Sequence, residues 1–86
     1  MFGNKVSATV KGLTEEMVST VDLDRNQESF MMLAGTMEQI IPTMTEAEVD
    51  YILEKFDRAF IRRSGKAQWQ RQIAADLIVL LRTRKL

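Results

Sequence analysis

Residues 45–60 read TEAEVDYILEKFDRAF, and this stretch decides the fold class. Thr45 and Glu48 have the spacing of a capping box, in which each side chain accepts a hydrogen bond from the backbone amide of the other residue. Apolar residues then recur with a period near 3.6, at Val49, Ile52, Leu53, Phe56, Ala59 and Phe60. This pattern predicts an amphipathic helix over residues 46–63 that ends near Ser64-Gly65.

Two further segments carry the helical period. Asp24 is an N-cap residue with Gln27 three positions later, and the apolar positions that follow predict a helix over residues 25–41, before Pro42. The last segment predicts a helix from about Lys66 to Thr83. Its apolar face consists of Trp69, Ile73, Leu77, Leu80 and Leu81.

The N-terminal segment has a different pattern. Apolar and polar residues alternate from Lys5 to Lys11, which predicts a short strand or an extended arm. Gly12 interrupts the alternation, and Thr14 is placed to cap a short helix over residues 15–21. We therefore expect a mainly all-α fold, with three main amphipathic helices and a short N-terminal helix preceded by the arm.

This fold corresponds to a small helical bundle or an array of helical hairpins. With 86 residues the chain is too short for two independent cores, so we expect a single domain over residues 1–86, with 1–13 as an extended or flexible N-terminal arm. Such a small core makes self-association or partner docking a natural supplement to stability.

The composition argues against an enzyme. The chain has no cysteine and no histidine, so it lacks the usual general base, the thiolate nucleophile and the two commonest ligands of transition metals. Side chains with oxygen atoms occupy alternate positions at Asp22, Asp24, Asn26 and Glu28, as in the calcium-binding loop of a helix-loop-helix motif. Such a loop requires glycine at its sixth position, where this chain has Gln27. We expect no catalytic residue, metal, cofactor or small-molecule substrate.

Hydropathy indicates no membrane segment. The longest purely apolar run near the C-terminus is Leu77 to Leu81, and Met1 to Gly12 contain no apolar core of signal-peptide length. We therefore expect a cytoplasmic protein that does not contact a membrane.

Charge is divided unevenly along the chain. Residues 1–50 hold three basic and nine acidic residues, a net charge of −6, whereas residues 51–86 hold nine basic and three acidic residues, a net charge of +6. This asymmetry is compatible with a basic surface for an acidic partner, or with oppositely charged parts that pack together within a bundle or a dimer.

Several large side chains project away from the predicted apolar faces. Met31, Met32 and Ile61 do so by helical projection, and methionine, aromatic and arginine anchors are typical of protein interfaces. The candidate partner-binding residues are Met31, Met32, Tyr51, Ile61 and Trp69. They favour a protein–protein interaction module, a small regulator, adaptor or inhibitor that also forms a homodimer.

An alternative is a nucleic-acid-binding regulator. A stripe on the predicted 46–63 helix consists of Tyr51, Lys55, Arg58 and Arg62. In a nucleic-acid complex its cationic side chains would bind phosphates, and the tyrosine ring would stack on a nucleobase. Lys66, Arg71 and Arg82 extend this basic stripe within residues 51–85, although a solvated charged face has the same pattern.

The N-terminal alternating segment offers a second route to nucleic acid. The strand-helix-helix order of residues 5–41 is similar to that of the ribbon-helix-helix DNA-binding proteins. This resemblance implies two strands paired across a dimer in the major groove. The interval before Asp24 leaves room for a shorter first helix than that family uses, and residues 12–50 are acidic.

Overall fold

Four α-helices make up most of the described chain, which comprises residues 5–20, 24–62 and 65–85 of a computed structural model. They are α1 (Ala8–Ser19), α2 (Gln27–Ile40), α3 (Glu46–Phe56) and α4 (Gln68–Lys85). Within these ranges there is no strand, and the predicted all-α fold is confirmed. None of the helices in the described ranges is both long and apolar enough to cross a bilayer.

The helices meet in one hydrophobic core, because each turns an apolar face inward. Three phenylalanine rings and the indole ring of Trp69 form its aromatic part. Phe30 lies edge-on to Phe60 with ring centroids 5.9 Å apart, and Phe56 lies edge-on to Phe60 at 5.3 Å. Offset or edge-on contacts of this kind are the preferred geometry of aromatic pairs.

The N-terminal strand or arm was predicted wrongly. The helix α1 begins at Ala8, and Ser7 is its N-cap, with an extended backbone and a hydroxyl that accepts from the Val10 amide at 3.2 Å. Burial explains the difference: Val10, Thr14 and Met17 recur at helical spacing and all three are buried. Residues 1–4 of the predicted arm lie outside the described residues.

Thr14 was predicted to cap the first helix, and it has another role. It is fully buried, and its hydroxyl donates to the Val10 carbonyl at 2.7 Å within α1. The ribbon-helix-helix resemblance fails for the same reason as the strand, because the segment that would enter the groove is helical from Ala8 onward.

The capping box at the start of α3 is confirmed. The Thr45 amide donates to Oε1 of Glu48 at 2.9 Å, and the Glu48 amide donates to the Thr45 hydroxyl at 3.2 Å. The other carboxylate oxygen of Glu48 accepts from the Ser7 amide. The hydrogen bond from the Thr45 amide, followed by that from the Ser7 amide, favours the charged carboxylate. The pKa of Glu48 therefore lies below its usual value.

The end of α3 differs from the predicted uninterrupted helix. Residues Asp57–Ile61 form a π-helical turn, in which the Arg62 amide donates to the Asp57 carbonyl five residues back at 2.9 Å. The same spacing brings the Arg62 guanidinium within 2.8 Å of the Asp57 carboxylate. Beyond it, Gly65 has a positive φ of 134°, a conformation that favours glycine, and α4 begins two residues later than predicted.

Candidate interaction surface

A groove runs between α2 and α4 on the surface of the bundle. It has a volume of about 320 Å³. Its lining is formed by Met31, Ala34, Gly35, Glu38, Ile73, Asp76, Leu77 and Leu80. A second hollow of about 340 Å³ continues it past Glu38 and Leu80 toward Pro42 and Arg84. We refer to the two together as the α2–α4 groove.

The α2 wall of the groove combines an exposed methionine with a glycine. Met31 is 53% exposed, as its helical projection predicted, whereas Ala34 is buried and forms part of the floor. Gly35 is exposed and lines the groove, and apart from its chain neighbours and the backbone of its own helical turns no atom lies within 4 Å of the place where its Cβ would be. The chain's own packing therefore does not require a glycine at this position.

The α4 wall contains a residue whose burial was predicted wrongly. Leu80 was predicted to belong to the apolar core face, but it is 40% exposed, and its neighbour Val79 is 62% exposed. The run of apolar residues from Leu77 to Leu81 extends around the whole circumference of a helix with 3.6 residues per turn, so some of them must face outward. Leu77, Ile78 and Leu81 take the buried positions.

That run was the signal by which Val79 and Leu80 could have been found from the sequence. No local pattern indicated that Glu38 and Asp76 belong to the groove, because these two acidic residues come together only when α2 packs on α4.

The rim of the groove carries carboxylates. Glu38 and Asp76 are both exposed, one on each wall, and Asp76 accepts from the Gln72 side-chain amide at 3.2 Å. At the far end, the Arg84 guanidinium donates to the carbonyls of Ile41 and Met44. Arg84 thus holds the end of α4 against the turn after α2, and the rim offers negative charge at the two acidic positions.

The structure separates the predicted methionine pair. Met32 is 69% exposed, but it lies on the side of α2 that faces α1, where it borders a shallower hollow with Glu16, Ser29 and Thr36. Met31 borders the α2–α4 groove on the other side of the helix. Ile61 is exposed, as predicted, at the end of the π-helical turn.

The two predicted aromatic anchors are half-buried and have partners inside the chain. The Tyr51 hydroxyl donates to the Glu15 carboxylate at 3.3 Å, and burial together with the negative charge of Glu15 raises the pKa of Tyr51. Trp69 lies edge-on to Phe30 with ring centroids 5.5 Å apart. Both rings therefore contribute to packing between helices.

The predicted basic stripe is largely engaged within the chain. Arg58 pairs with Glu54 at 3.2 Å, and Arg62 pairs with Asp57. The Lys55 ammonium lies 5.4 Å from the centroid of the Tyr51 ring.

Lys66 and Arg71 have structural contacts as well. The Lys66 ammonium donates to the carbonyls of Val18 at 2.6 Å and of Thr20 at 3.1 Å, where α1 ends. Arg71 donates to the Phe60 carbonyl at 3.1 Å. Arg82 is exposed on α4, away from these contacts.

Comparisons with known proteins identify no relative: no family model, no curated protein and no solved structure matches the chain. In the ranges that the structure describes, no three acidic side chains form a group that holds a metal ion.

Proposed function

We propose that this chain is a non-enzymatic protein-interaction module whose α2–α4 groove binds a helical segment of another protein. The observation that carries the proposal is the exposure of Met31 and Leu80 on opposite walls of a concave apolar groove. Helix-in-groove recognition buries the apolar face of an amphipathic helix in a surface of this kind. Apolar side chains exposed together around a cleft are typical of binding surfaces.

The charge of the rim defines the chemistry of the partner. Glu38 and Asp76 stand on opposite walls of the first hollow, so a helix there would have a carboxylate on each side, whereas the Arg84 guanidinium at the far end donates to the carbonyls of Ile41 and Met44. A partner helix with lysine or arginine beside its apolar residues would meet opposite charges, and an acidic helix would be repelled. We therefore propose a basic amphipathic helix as the occupant.

Gly35 supports docking of a helix rather than of a loop. A glycine inside a helix costs about 0.5–1 kcal/mol relative to alanine, and the space at Gly35 would accept the alanine methyl. The absence of a side chain at a groove wall allows a second backbone to approach closely. We propose that Gly35 contacts the partner helix.

A protein partner accounts for more of the surface than a nucleic acid does. Lys66 and Arg71 donate to backbone carbonyls within the chain, and the carboxylates of Glu54 and Asp57 lie beside Arg58 and Arg62 and lower the local positive charge that phosphates would meet. We expect labelled mixed-sequence DNA and RNA to show no binding that weakens steeply between about 50 and 200 mM salt. A regulator, an adaptor and an inhibitor would all act through the same groove, and we place the module in the cytoplasm.

Fluorescence anisotropy with designed peptides tests this function. The probe is a labelled helical peptide with leucine on one face and lysine on the other, and the matched peptide has glutamate in place of lysine. We expect saturable binding of the lysine peptide and loss of at least about tenfold in affinity with Leu80→Gln, because an uncharged polar group would then enter an apolar contact. Met32→Gln is the matched control on the other side of α2. Equal binding of both peptides, or equal effects of both variants, would contradict the proposal.

A further inference from the structure

We propose that Met31 is an oxidation site, and that its sulfoxide weakens binding of the partner helix in the α2–α4 groove. The oxidant is a hydroperoxide, of which hydrogen peroxide is the simplest. The inference rests on the proposed function, because it assigns a regulatory step to the same groove.

Exposure divides the methionines of the described chain into two groups. Met17, Met37 and Met44 belong to the core, and none of them is more than 3% exposed. Met31 is 53% exposed and Met32 is 69% exposed. Since a hydroperoxide must reach the sulfur atom from solvent, we expect the two exposed methionines to be oxidised in the folded protein and the three buried ones to be protected.

The residue one helical turn after Met31 leaves this methionine uncovered. On an α-helix the side chain at position i+4 lies on the same face as residue i and leans toward it. Gly35 occupies that position for Met31 and has no side chain. The α2 wall of the groove therefore has nothing at the place from which its own helix would cover Met31.

The oxidation step transfers one oxygen atom and two electrons. The thioether sulfur attacks one oxygen of hydrogen peroxide, so that a sulfur–oxygen bond forms and the oxygen–oxygen bond breaks. The departing hydroxide takes the proton of the transferred hydroxyl group, and the products are one sulfoxide and one water. Sulfur is oxidised, peroxide is reduced, and the balance requires no further reactant.

The sulfoxide makes part of the α2 wall polar. Met31 borders the groove together with the apolar residues Ile73 and Leu77. Oxidation turns a flexible apolar side chain into a polar one and disrupts interfaces that contain methionine. The apolar face of a docked helix offers no donor to the sulfoxide oxygen, so docking would remove this oxygen from water without compensation.

Met32 provides an internal control in the same helix. It is more exposed than Met31, but it borders the hollow toward α1, with Glu16 and Thr36. Its oxidation should therefore leave peptide binding unchanged. A comparison of the two residues separates a local effect at the groove from general damage by peroxide.

Peroxide treatment of matched variants tests the inference. The wild type, Met31→Leu and Met32→Leu are oxidised, the peroxide is removed, and tandem mass spectrometry measures the sulfoxide at each methionine. We expect the oxidised wild type and oxidised M32L to bind the lysine peptide at least about tenfold more weakly than their reduced forms, whereas M31L keeps its affinity. The two methionine sulfoxide reductases, one for each epimer of the sulfoxide, should restore binding. Circular dichroism verifies that each oxidised protein stays helical.

Protection by the bound peptide is a second, independent measurement. A helix in the groove would cover Met31 and leave Met32 open, so a saturating concentration of the lysine peptide should slow oxidation of Met31 alone. Unchanged affinity of a wild type whose Met31 is oxidised, or an equal loss of affinity in M31L and M32L, would overturn the inference. Failure of the reduced wild type to bind the lysine peptide would contradict the proposed function itself, so the two failures are distinguishable.

Discussion

The Ser7 amide donates a 2.9 Å hydrogen bond to Oε2 of Glu48, 41 residues further along the chain. The other oxygen of the same carboxylate accepts from the Thr45 amide at 2.9 Å. Ser7 and Thr45 are the N-cap residues of α1 and α3, so one carboxylate satisfies amides at the starts of two helices. Glu48 thereby joins a local capping signal to the packing of α1 on α3.

Replacement of this carboxylate should destabilise the fold. Because Glu48→Ala leaves the amides of Ser7 and Thr45 without their acceptor, we expect a loss of about 1–3 kcal/mol in the free energy of unfolding. Urea denaturation followed by circular dichroism measures it. Glu46→Ala, in the same helical turn but exposed, is the control and should cost less. Equal losses would show that Glu48 contributes only its helix-terminal charge.

The same group should make stability depend on pH. The pKa of Glu48 is lowered in the folded protein, so its contribution is fully present above the unfolded pKa of about 4.3 and is lost as the pH falls through the folded pKa. The difference in unfolding free energy between the wild type and Glu48→Gln should be constant above about pH 5 and shrink toward lower pH. A difference that does not change between pH 7 and pH 3 would contradict this assignment.

Lys66 should behave as a structural residue of the basic stripe. Its ammonium donates to two carbonyls at the end of α1 and lies 5.6 Å from the centroid of the Phe60 ring. We expect Lys66→Met to lower the free energy of unfolding by about 1–2 kcal/mol, because charged donors at a helix C-terminus are stabilising. Arg58→Gln removes an exposed ion pair with Glu54, and we expect it to change the free energy of unfolding by less than about 0.5 kcal/mol. The reverse order, again measured in urea, would be inconsistent with these contacts.

Gly35 should separate stability from binding. Gly35→Ala adds a methyl into open space on α2, and we expect it to raise the free energy of unfolding by about 0.5–1 kcal/mol. Gly12→Ala is a matched control, since Gly12 lies inside α1 with equally open space. Both variants should be more stable, but only Gly35→Ala should weaken binding of the lysine peptide. Unchanged peptide binding by Gly35→Ala would remove Gly35 from the docking surface.

The elements that the sequence predicted well are those with local causes. The capping box of Thr45 and Glu48 and the 3.6-residue period after it are properties of neighbouring residues, so the start of α3 was predictable. The start of α1 was not predictable in this way, because polar and apolar residues alternate around Ser7 and Val10 as they do in a strand. Their helical state depends on burial against residues distant in the sequence.

The candidate site likewise combines features that were predictable from single helices with features that depend on how the helices pack. The exposure of Met31, Met32 and Ile61 followed from projecting single helices. The groove did not, since it exists only where α2 packs against α4, and the exposure of Leu80 depends on which arc of α4 the other helices cover. The five-residue hydrogen bonding after Phe56 had no signal in the sequence that we identify.

Chemical-shift mapping by NMR tests the central claim most directly. The isotope-labelled protein is titrated with the lysine peptide, and the backbone amide signals of the residues other than Pro42 are followed one by one. The account predicts saturable shifts concentrated at Gly35, Glu38, Asp76 and Leu80, and smaller shifts with the glutamate peptide. Shifts centred on the basic face of α3, or no shifts with either peptide, would contradict a docking site between α2 and α4.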